Sequence, residues 1–556
     1  MVNLRKSFVQ RRLQVALFAG VLLVGAYLRL TGLTWGLRSG YGHELNFQPD
    51  EFVSLRGVTQ LDLLAGHIKA PEAYFEGTFN YYLWAIPQAV LKLAGKENQG
   101  FSDSMDTSDH ADLLYICRWM SVVADLCTIV VVFLAIREAT QKFYPSVLGA
   151  LCYAVIPMQV IYAHFMRTHL VSNLLCALVI WLSLKLRQSQ RWQLCLLVGL
   201  ISGLSAATRY PVGLIVVIPC LYLLFHSSDN LPNWKLRLLG RAKKLLAGPV
   251  WLIGLGFGIG LFLGHPMLFL DPQSVLNEIT FEAREYASLN QFSGSHLLNL
   301  WVVWRYVTYL IPFAMYPILW VVPYCAITYL LFRSSLYRLS KPILIFSFLY
   351  LYLMGKAYVG PYFARATMLL FPGICVLVGL VFGDLQVRLK NKRITATALT
   401  GIVLLVFVLS LVFDVAYGQA MQHMDAREVL RKDLQNLIGE KPARIGVFHS
   451  GVYFYTVMPA VRPLDGGKVT VLLQNAPGEN VDFFLIGFSA QVGPAELKAI
   501  VRRVEALGNF NYVKSYNVPI RIFGHEFSLT RFPEDMIYPF PTILLFRARS
   551  PALSTS

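Results

Sequence analysis

The stretch LQVALFAGVLLVGAYLRLTGL, residues 13–33, decides the class of fold. Its length matches the roughly 20 residues that a helix needs to cross about 30 Å of hydrocarbon. Arg11 and Arg12 precede it, and no clear small-residue cleavage site follows it, so it is predicted to be a retained transmembrane helix. Further apolar runs are read at 113–135, 144–162, 169–186, 192–208, 210–226, 246–264, 311–332, 342–356, 362–383 and 395–414. The chain is therefore predicted to be an all-α polytopic membrane protein with about eleven spans.

Composition supports a bilayer environment. The 556 residues are 56% hydrophobic and 15% charged, whereas soluble domains are roughly 25% charged. The net charge of +17 does not indicate nucleic-acid binding, because the basic residues cluster in short loops between apolar runs. All eight cysteines lie in or beside apolar runs, so no disulfide framework is expected.

The loops between the apolar runs separate into two sets. The N-terminus and alternate loops are basic throughout, whereas the loop 34–112 carries five Lys or Arg against eleven Asp or Glu, a net charge of −6. By the positive-inside rule the basic set faces the cytoplasm. A multi-pass cell membrane protein is predicted, with a cytoplasmic N-terminus and with the loop 34–112 and the C-terminal tail outside.

The tail differs in character from the rest of the chain. Residues 1–415 are interpreted as the membrane domain and residues 416–556 as a small extracytoplasmic α/β domain. Two helices are predicted at Met424–Ile438 and Pro494–Leu507. Short β-type runs occur at Ile445–His449, Phe483–Ile486, Val513–Ser515 and Ile543–Arg547.

Asp50 and Glu51 are the first candidates for chemistry, because carboxylates at the rim of a membrane protein are costly and commonly functional. Pro49 holds the residue before it extended and presents the pair on a turn. The structural alternative is that both acids sit at a helix N-terminus, where the helix dipole stabilises them.

Six cations near the predicted outer ends of spans form a second group. The positive-inside rule disfavours them there, and an anionic lipid headgroup would explain them, since guanidinium matches phosphate in geometry and charge. Pairing with the acids of the loops is the alternative. The six are Arg56, Arg118, Arg167, Arg209, Lys356 and Arg365.

Histidines and aromatic residues form a third group. His164 and His169 are five residues apart, which does not place them on one helical face, so hydrogen bonding is favoured over a two-histidine metal site. The run from Glu76 through Tyr81 and Tyr82 reads either as an interfacial aromatic belt or as a surface that stacks on sugars.

The order of several short motifs resembles the GT-C superfamily of membrane glycosyltransferases, in the branch of protein O-mannosyltransferases and the lipid A aminoarabinose transferase. The resemblance covers about residues 10–415. Its motifs are Pro49-Asp50-Glu51, Glu76-Gly77-Thr78-Phe79-Asn80-Tyr81-Tyr82, Ala163-His164-Phe165, Ala207-Thr208-Arg209-Tyr210-Pro211, His265-Pro266 and Leu370-Phe371-Pro372 after Arg365.

The resemblance implies a transferase that moves a sugar from a polyprenyl phosphate, such as undecaprenyl phosphate, to an acceptor hydroxyl with inversion. Asp50 matches the family's catalytic aspartate and would act as general base, with Glu51 beside it. Arg209 and Arg365 would stabilise the leaving phosphate. Arg118, Arg56 and Lys356 are further candidates for phosphate binding. Candidates for sugar or acceptor binding are Glu76, Tyr81, Tyr82, His164, His169 and His265.

The acceptor is expected to be a lipid, a glycan or a protein. Many family members carry a second acid where His169 stands here, which leaves a bound divalent cation (Mg or Mn) open. A bacterial cytoplasmic membrane is the expected location. A transporter or flippase of a lipid-linked glycan is the alternative function, and it predicts no convergence of Asp50, Arg209 and Arg365 on one cavity.

Overall fold

The structure, a computed structural model, describes residues 2–37, 47–96, 111–189, 191–228, 248–288, 296–357, 363–450, 453–465, 468–477, 480–489, 492–507 and 509–549. These residues form two compact units. The first unit takes the described parts of 1–30, 54–97 and 116–414. The second takes residues 31–37, 47–53, 111–115 and the described parts of 415–556.

Helices make up the first unit. Six described helices are long and apolar enough to cross a membrane, or seven when a bent pair counts as one span. The helices that enter this unit are Val2–Leu30, Pro49–Thr59, Phe79–Leu93, Ala111–Thr140, Phe143–Ala154, Pro157–Ala163, His169–Gln188, Trp192–Thr208, Val217–Ser228, Gly248–Gly264, Met267–Leu270, Pro272–Ser288, His296–Arg305, Ile311–Ala314, Val321–Leu331, Ser334–Ala357, Phe371–Arg388 and Arg393–Gln422. Shorter 3-10 helices lie at Pro71–Ala73, Tyr210–Val216 and Ala364–Leu370, and a π-helical turn at Tyr306–Leu310. The chain is a multi-pass membrane protein.

Two of the predicted spans are wrong as single helices. The run 144–162 is broken into helices that meet at 59°, because Pro157 holds Ile156 in an extended conformation. The run 311–332 consists of Ile311–Ala314 and Val321–Leu331. Pro317 lies in the gap between them, where its ring and its missing N–H interrupt a helix.

Four helices of ten or more residues lie in segments of the first unit that the sequence pattern left unassigned: Pro49–Thr59, Phe79–Leu93, Pro272–Ser288 and His296–Arg305. Three of these helices are shorter than a membrane span of roughly 20 residues, and the fourth, Pro272–Ser288, is too polar to be read as an apolar run.

Small residues let two helices of the first unit approach closely, as the glycine-rich sequence from 192 to 264 predicts. A Cβ atom on Gly199 would collide with the carbonyl oxygen of Ile253, and one on Gly256 with that of Leu196. Helices Trp192–Thr208 and Gly248–Gly264 therefore pack backbone against backbone, as membrane helices commonly do.

Asp125, whose depth in its span the sequence left open, forms a fully buried ion pair in the first unit. Arg29 Nε donates to Asp125 Oδ2 over 2.5 Å, and the Tyr153 hydroxyl donates to Asp125 Oδ1 over 2.6 Å. Arg29 Nη1 also donates to the carbonyl oxygens of Gly25 and Ala154. These bonds give Asp125 a structural role between three helices.

The second unit contains the predicted mixed α/β arrangement. Its strands are β1 (Ala443–Phe448), β2 (Val469–Gln474), β3 (Phe483–Phe488), β4 (Phe510–Tyr516), β5 (Ile520–Ile522), β6 (His525–Phe527) and β7 (Thr542–Ala548). Five form one sheet in the order β2-β1-β3-β7-β4, and β5 and β6 form a hairpin. The β1 strand runs parallel to β2 and β3, whereas β7 is antiparallel to β3 and β4.

Helices Ala426–Ile438 and Pro494–Ala506 accompany the sheet, as predicted; the short helices Tyr453–Thr456, Met458–Val461, Arg462–Leu464 and Glu534–Met536 complete the unit. Phe484, Phe510, Leu544 and Phe546 form its apolar core.

A buried arginine, Arg427, holds three segments of the second unit together. Arg427 is fully buried and forms two 2.7 Å bonds to the carboxylate of Asp425, from Nε and from Nη2. It also donates to the carbonyl oxygens of Phe47 and Tyr538, and its guanidinium stacks on the Phe47 ring at 4.1 Å. Trp35 Nε1 donates to Asp425 Oδ2, the oxygen that also accepts from Arg427 Nη2. We call Arg427, Asp425, Trp35 and Phe47 the Arg427 centre.

Candidate functional site

A tight turn brings part of the loop 34–112 against the end of a span. Gly77 has a φ of +121° and lies so close to the Ala207 carbonyl that a Cβ atom would collide with it. Only glycine combines this backbone conformation with this approach. The turn thereby positions Glu76 and Thr78 beside the point where helix Trp192–Thr208 ends and Arg209 adopts an extended conformation.

Glu76 forms a buried ion pair with Arg167. Arg167 Nη2 donates to Glu76 Oε1 over 2.9 Å, and Arg167 Nη1 donates to Ser54 Oγ over 3.0 Å. Both charged side chains are less than a tenth exposed. Three distant chain segments therefore meet at one guanidinium.

Two more arginines gather near the same place. Arg167, Arg209 and Arg365 all act electrostatically on the ring of His169. Arg365 Nη1 lies 3.4 Å from the Tyr162 hydroxyl, and the Tyr162 ring packs edge-on against the His169 ring at 4.9 Å. We call Arg167, Arg209, Arg365, His169 and Glu76 the arginine cluster.

Several buried polar atoms of this region have no hydrogen-bond partner among the described residues. They are Glu76 Oε2, Thr168 Oγ1 and both ring nitrogens of His169. Buried polar groups are nearly always bonded, and an unbonded one costs about 1–3 kcal/mol. Arg167, Arg209 and Arg365 bring three guanidinium groups to this cluster. The N–H groups of arginine and the Thr168 hydroxyl donate to the oxygens of an anionic ligand, whereas Glu76 Oε2 only accepts and suits a hydroxyl donor.

His265 joins the turn to the end of the neighbouring span. Its Nδ1 lies 2.8 Å from Thr78 Oγ1 and its Nε2 lies 3.0 Å from the Tyr210 hydroxyl, which donates to the Tyr74 carbonyl. Burial lowers the pKa of His265 to about 4, so the ring is neutral at pH 7. Burial also raises the pKa of the Tyr74 phenol to about 12. Both ring nitrogens of His265 lie within hydrogen-bond distance of a partner, so this network orients the His265 ring between Thr78 and Tyr210.

The two predicted catalytic acids lie in the first turn of helix Pro49–Thr59. Asp50 is half-buried and Glu51 is fully buried. The backbone N–H of Glu51 donates to the Gln48 side-chain oxygen over 2.6 Å. The convergence of Asp50 with Arg209 and Arg365 stays a prediction.

The remaining predicted residues are spread over the first unit. Arg56 lies in the last turn of helix Pro49–Thr59, Arg118 is buried in helix Ala111–Thr140, and the His164 ring bonds the Val160 carbonyl. Tyr81 is buried edge-on against Trp84, and the half-buried Tyr82 donates its hydroxyl to the Ile68 carbonyl. Lys356 lies near the end of helix Ser334–Ala357, and its side chain is outside the described part of the structure.

Four contacting residues were not singled out from the sequence: Ser54, Thr78, Tyr162 and Tyr210. Thr78 and Tyr210 stand inside motifs that carried the family resemblance, so the motif was the available signal. No sequence motif distinguishes Ser54 or Tyr162. Within the described ranges no group of three or more His, Cys, Asp or Glu is arranged to hold a metal ion, and the divalent cation stays a prediction.

Comparison with known proteins gives one family match. Residues 114–258 match the family described as dolichyl-phosphate-mannose-protein mannosyltransferase. This match supports the resemblance to GT-C membrane glycosyltransferases over a segment that holds Arg118, Arg167, His169 and Arg209. No curated protein matches the chain.

Solved structures of GT-C enzymes are also similar to the chain at low identity. The oligosaccharyltransferase of Archaeoglobus fulgidus, tethered with an acceptor peptide containing the NVT sequon, is 12% identical with a TM-score of 0.47. That match covers 86% of this chain and 69% of the other. ArnT from Cupriavidus metallidurans bound to undecaprenyl phosphate is 13% identical with a TM-score of 0.46, over 96% and 97% of the two chains.

Proposed function

We propose that this membrane glycosyltransferase transfers a sugar from a polyprenyl-phosphate carrier to an acceptor hydroxyl on the extracytoplasmic face, with inversion at the sugar carbon. The observation that carries the proposal is the arginine cluster. Its three arginines suit the phosphate of the carrier, and Glu76 Oε2, which has no hydrogen-bond partner among the described residues, suits a hydroxyl of the sugar or of the acceptor.

In the proposed reaction the acceptor oxygen forms a bond to the anomeric carbon while the bond from that carbon to the phosphate oxygen breaks. The electron pair of the broken bond stays on the polyprenyl phosphate. Arg209 and Arg365 stabilise the charge that develops there, and such electrostatic stabilisation is usually the largest single contribution to catalysis. Arg167 is held by Glu76 and Ser54, so it supplies charge from a fixed position.

Asp50 is proposed as the general base that takes the proton of the acceptor hydroxyl. It precedes Ser54 by four residues in helix Pro49–Thr59, so the two side chains share a face of that helix. Ser54 is the residue that accepts from Arg167. Glu51 is fully buried next to it and bonded through its backbone to Gln48, which suits an orienting role.

The test is turnover of a radiolabelled polyprenyl-phosphate sugar by the purified full-length chain, wild type beside Asp50→Asn. Loss of the base should slow sugar release by about 10²–10⁴-fold. Arg365→Gln should reduce turnover and weaken donor binding. Arg187→Gln, an exposed basic residue in the last turn of helix His169–Gln188, serves as the control and should behave as wild type.

Equal turnover by wild type and Asp50→Asn across several donor sugars would contradict the proposal. A flippase would instead move the intact donor across a vesicle membrane without release of sugar or of free polyprenyl phosphate. Measuring both products and transbilayer movement in the same vesicles separates the two functions.

A further inference from the structure

A large apolar groove lies in the first unit, away from the arginine cluster. It has a volume of about 890 Å³ and lies between helices Val2–Leu30, Phe143–Ala154, Phe371–Arg388 and Arg393–Gln422. Most of its wall is aliphatic, including Leu17, Val21, Leu148 and Leu404. The groove is open beside the lining residue Gly20, since a Cβ atom added there would meet nothing within 4 Å.

The groove has the length of one leaflet of a bilayer. Its lining along the last of these helices runs from Arg393 to Leu404. Eleven residues of helix rise about 16 Å, and half of the roughly 30 Å hydrocarbon layer is about 15 Å. An acyl chain that starts at the headgroup level beside Arg393 would therefore end near the bilayer midplane beside Leu404.

Only one end of the groove is basic. Lys390 and Arg393 line it, and Lys392 lines the adjoining surface cavity together with them. The nearby Asp384 does not neutralise them, because Arg388 Nε bonds it at 2.7 Å, the Tyr329 hydroxyl at 2.5 Å, and Arg333 lies 3.6 Å away. Asp384 therefore leaves the positive charge of Lys390, Lys392 and Arg393 unneutralised, so this end of the groove attracts an anionic ligand.

This end is also remote from the arginine cluster. Arg365 precedes helix Phe371–Arg388 and Lys390 follows it. The 18 residues of that helix span about 27 Å, close to the full hydrocarbon thickness. A ligand headgroup at Lys390 and one at Arg365 would thus lie at opposite faces of the membrane.

We propose that the groove binds one anionic glycerophospholipid of the leaflet that faces residues 389–392, predicted to be the cytoplasmic leaflet. The phosphate of the headgroup lies between Lys390 and Arg393, as in basic pockets between transmembrane helices that hold anionic lipids. One acyl chain fills the groove past Gly20 toward Leu404. Because the lipid binds the folded chain, it also stabilises it.

The test is lipid retention by the delipidated full-length chain in nanodiscs, with phosphatidylglycerol in a phosphatidylcholine background as the probe. Wild type should retain one phosphatidylglycerol in preference to phosphatidylcholine by native mass spectrometry, and added salt should weaken that preference. Lys390→Gln with Arg393→Gln should lower the preference at least about tenfold, since two charge-assisted contacts are lost. Gly20→Leu should reduce retention of both lipids, because it fills the groove.

Two matched controls accompany these variants. Gly401→Leu places the same side chain in open space on helix Arg393–Gln422 without lining the groove, and Arg187→Gln removes a charge elsewhere. Both should retain lipid as wild type does. If Gly20→Leu does not fold, Gly20→Ala and the two charge substitutions still test the proposal.

Equal retention of the two lipids by wild type, or unchanged retention by the charge variants, would overturn the proposal. Displacement of phosphatidylglycerol by undecaprenyl phosphate at the same groove would also overturn it, by assigning the groove to the carrier. The readout is lipid retention rather than sugar transfer, so its failure leaves the proposed function untouched.

Discussion

Each unit of this protein contains a buried arginine bonded to a carboxylate, yet the two differ in how completely their polar atoms are bonded. In the Arg427 centre, both oxygens of Asp425 accept, and Arg427 also reaches the carbonyls of Phe47 and Tyr538. In the arginine cluster, Glu76 Oε2 and both His169 nitrogens have no partner among the described residues.

We interpret the Arg427 centre as part of the scaffold and the arginine cluster as the candidate site. A fully bonded buried network rigidifies the fold, whereas a partly bonded one costs free energy unless a ligand completes it. The Arg427 centre should therefore affect stability, and the arginine cluster should affect activity more than stability. Three substitutions test this difference, and a fourth, at a surface pair outside both networks, gives the lower end of the scale.

The largest effect is expected at the Arg427 centre. Arg427→Gln leaves the buried Asp425 without its counter-ion and should lower the free energy of unfolding by about 3–5 kcal/mol. Urea unfolding of the purified chain measures it. Arg427→Met combined with Asp425→Asn should lose less, because no charge is left buried and the helix cap oxygen remains. A double variant as unstable as Arg427→Gln would argue against the ion pair as the cause.

A smaller effect is expected at the turn beside the arginine cluster. Gly77→Ala combines a strained φ with a collision against the Ala207 carbonyl, and should cost about 2–3 kcal/mol and reduce turnover. Gly66→Ala is the matched control. Gly66 also has a positive φ, of +74°, but nothing lies within 4 Å of its added Cβ, so only the backbone strain of about 1–2 kcal/mol applies. Equal losses would mean that the close approach does not matter.

His169→Phe should separate stability from activity most directly. The phenyl ring keeps the edge contact with Tyr162 and removes two buried nitrogens that lack partners, so the unfolding free energy should rise by about 1 kcal/mol. Turnover should fall at least about tenfold, because the variant removes two nitrogen atoms that we expect the donor to bond. The exposed His423→Phe is the control. Loss of stability in His169→Phe would show that the cluster is scaffold.

The smallest effect is expected at a surface pair of the second unit. Hydrogen bonds from Lys514 and Tyr516 lower the pKa of Asp433. A lowered carboxyl pKa contributes stability above the ordinary value of about 4 and loses it as pH falls through the folded-state pKa. Because the carboxyl is a third exposed, Asp433→Asn should cost less than about 1 kcal/mol at pH 7.

A pH series of the thermal midpoint measures this contribution. The difference between wild type and Asp433→Asn should vanish at low pH and shrink with added salt. A difference that persists unchanged below the folded-state pKa would exclude the charge as its source.

Much of the membrane architecture follows from single runs of sequence. The run 192–208 is a helix with those ends, and the helix predicted at Met424–Ile438 begins two residues later, after the Asp425 cap. Within a bilayer every backbone polar group must be bonded internally, so an apolar run of this length is expected to form a helix. The β2 strand escaped prediction because its half-exposed residues show neither a buried run nor a clear alternation.

The candidate site was predictable in part. Glu76, Arg209 and His265 were selected from their motifs and lie in or beside the arginine cluster and its orienting network. No pattern in the sequence favours Ser54 over the other polar residues of its helix. The sequence also left Arg167 as one of six outward cations with no assigned partner.

The sequence by itself determined that this chain lies in a membrane, where its charged loops fall and that its tail is α/β, because hydropathy, charge and period are local properties. Only the tertiary structure decided that Arg167 bonds Glu76 and Ser54, which are 91 and 113 residues away. Such partners are chosen by how helices pack and by the positive φ of Gly77, and no window of sequence contains that information.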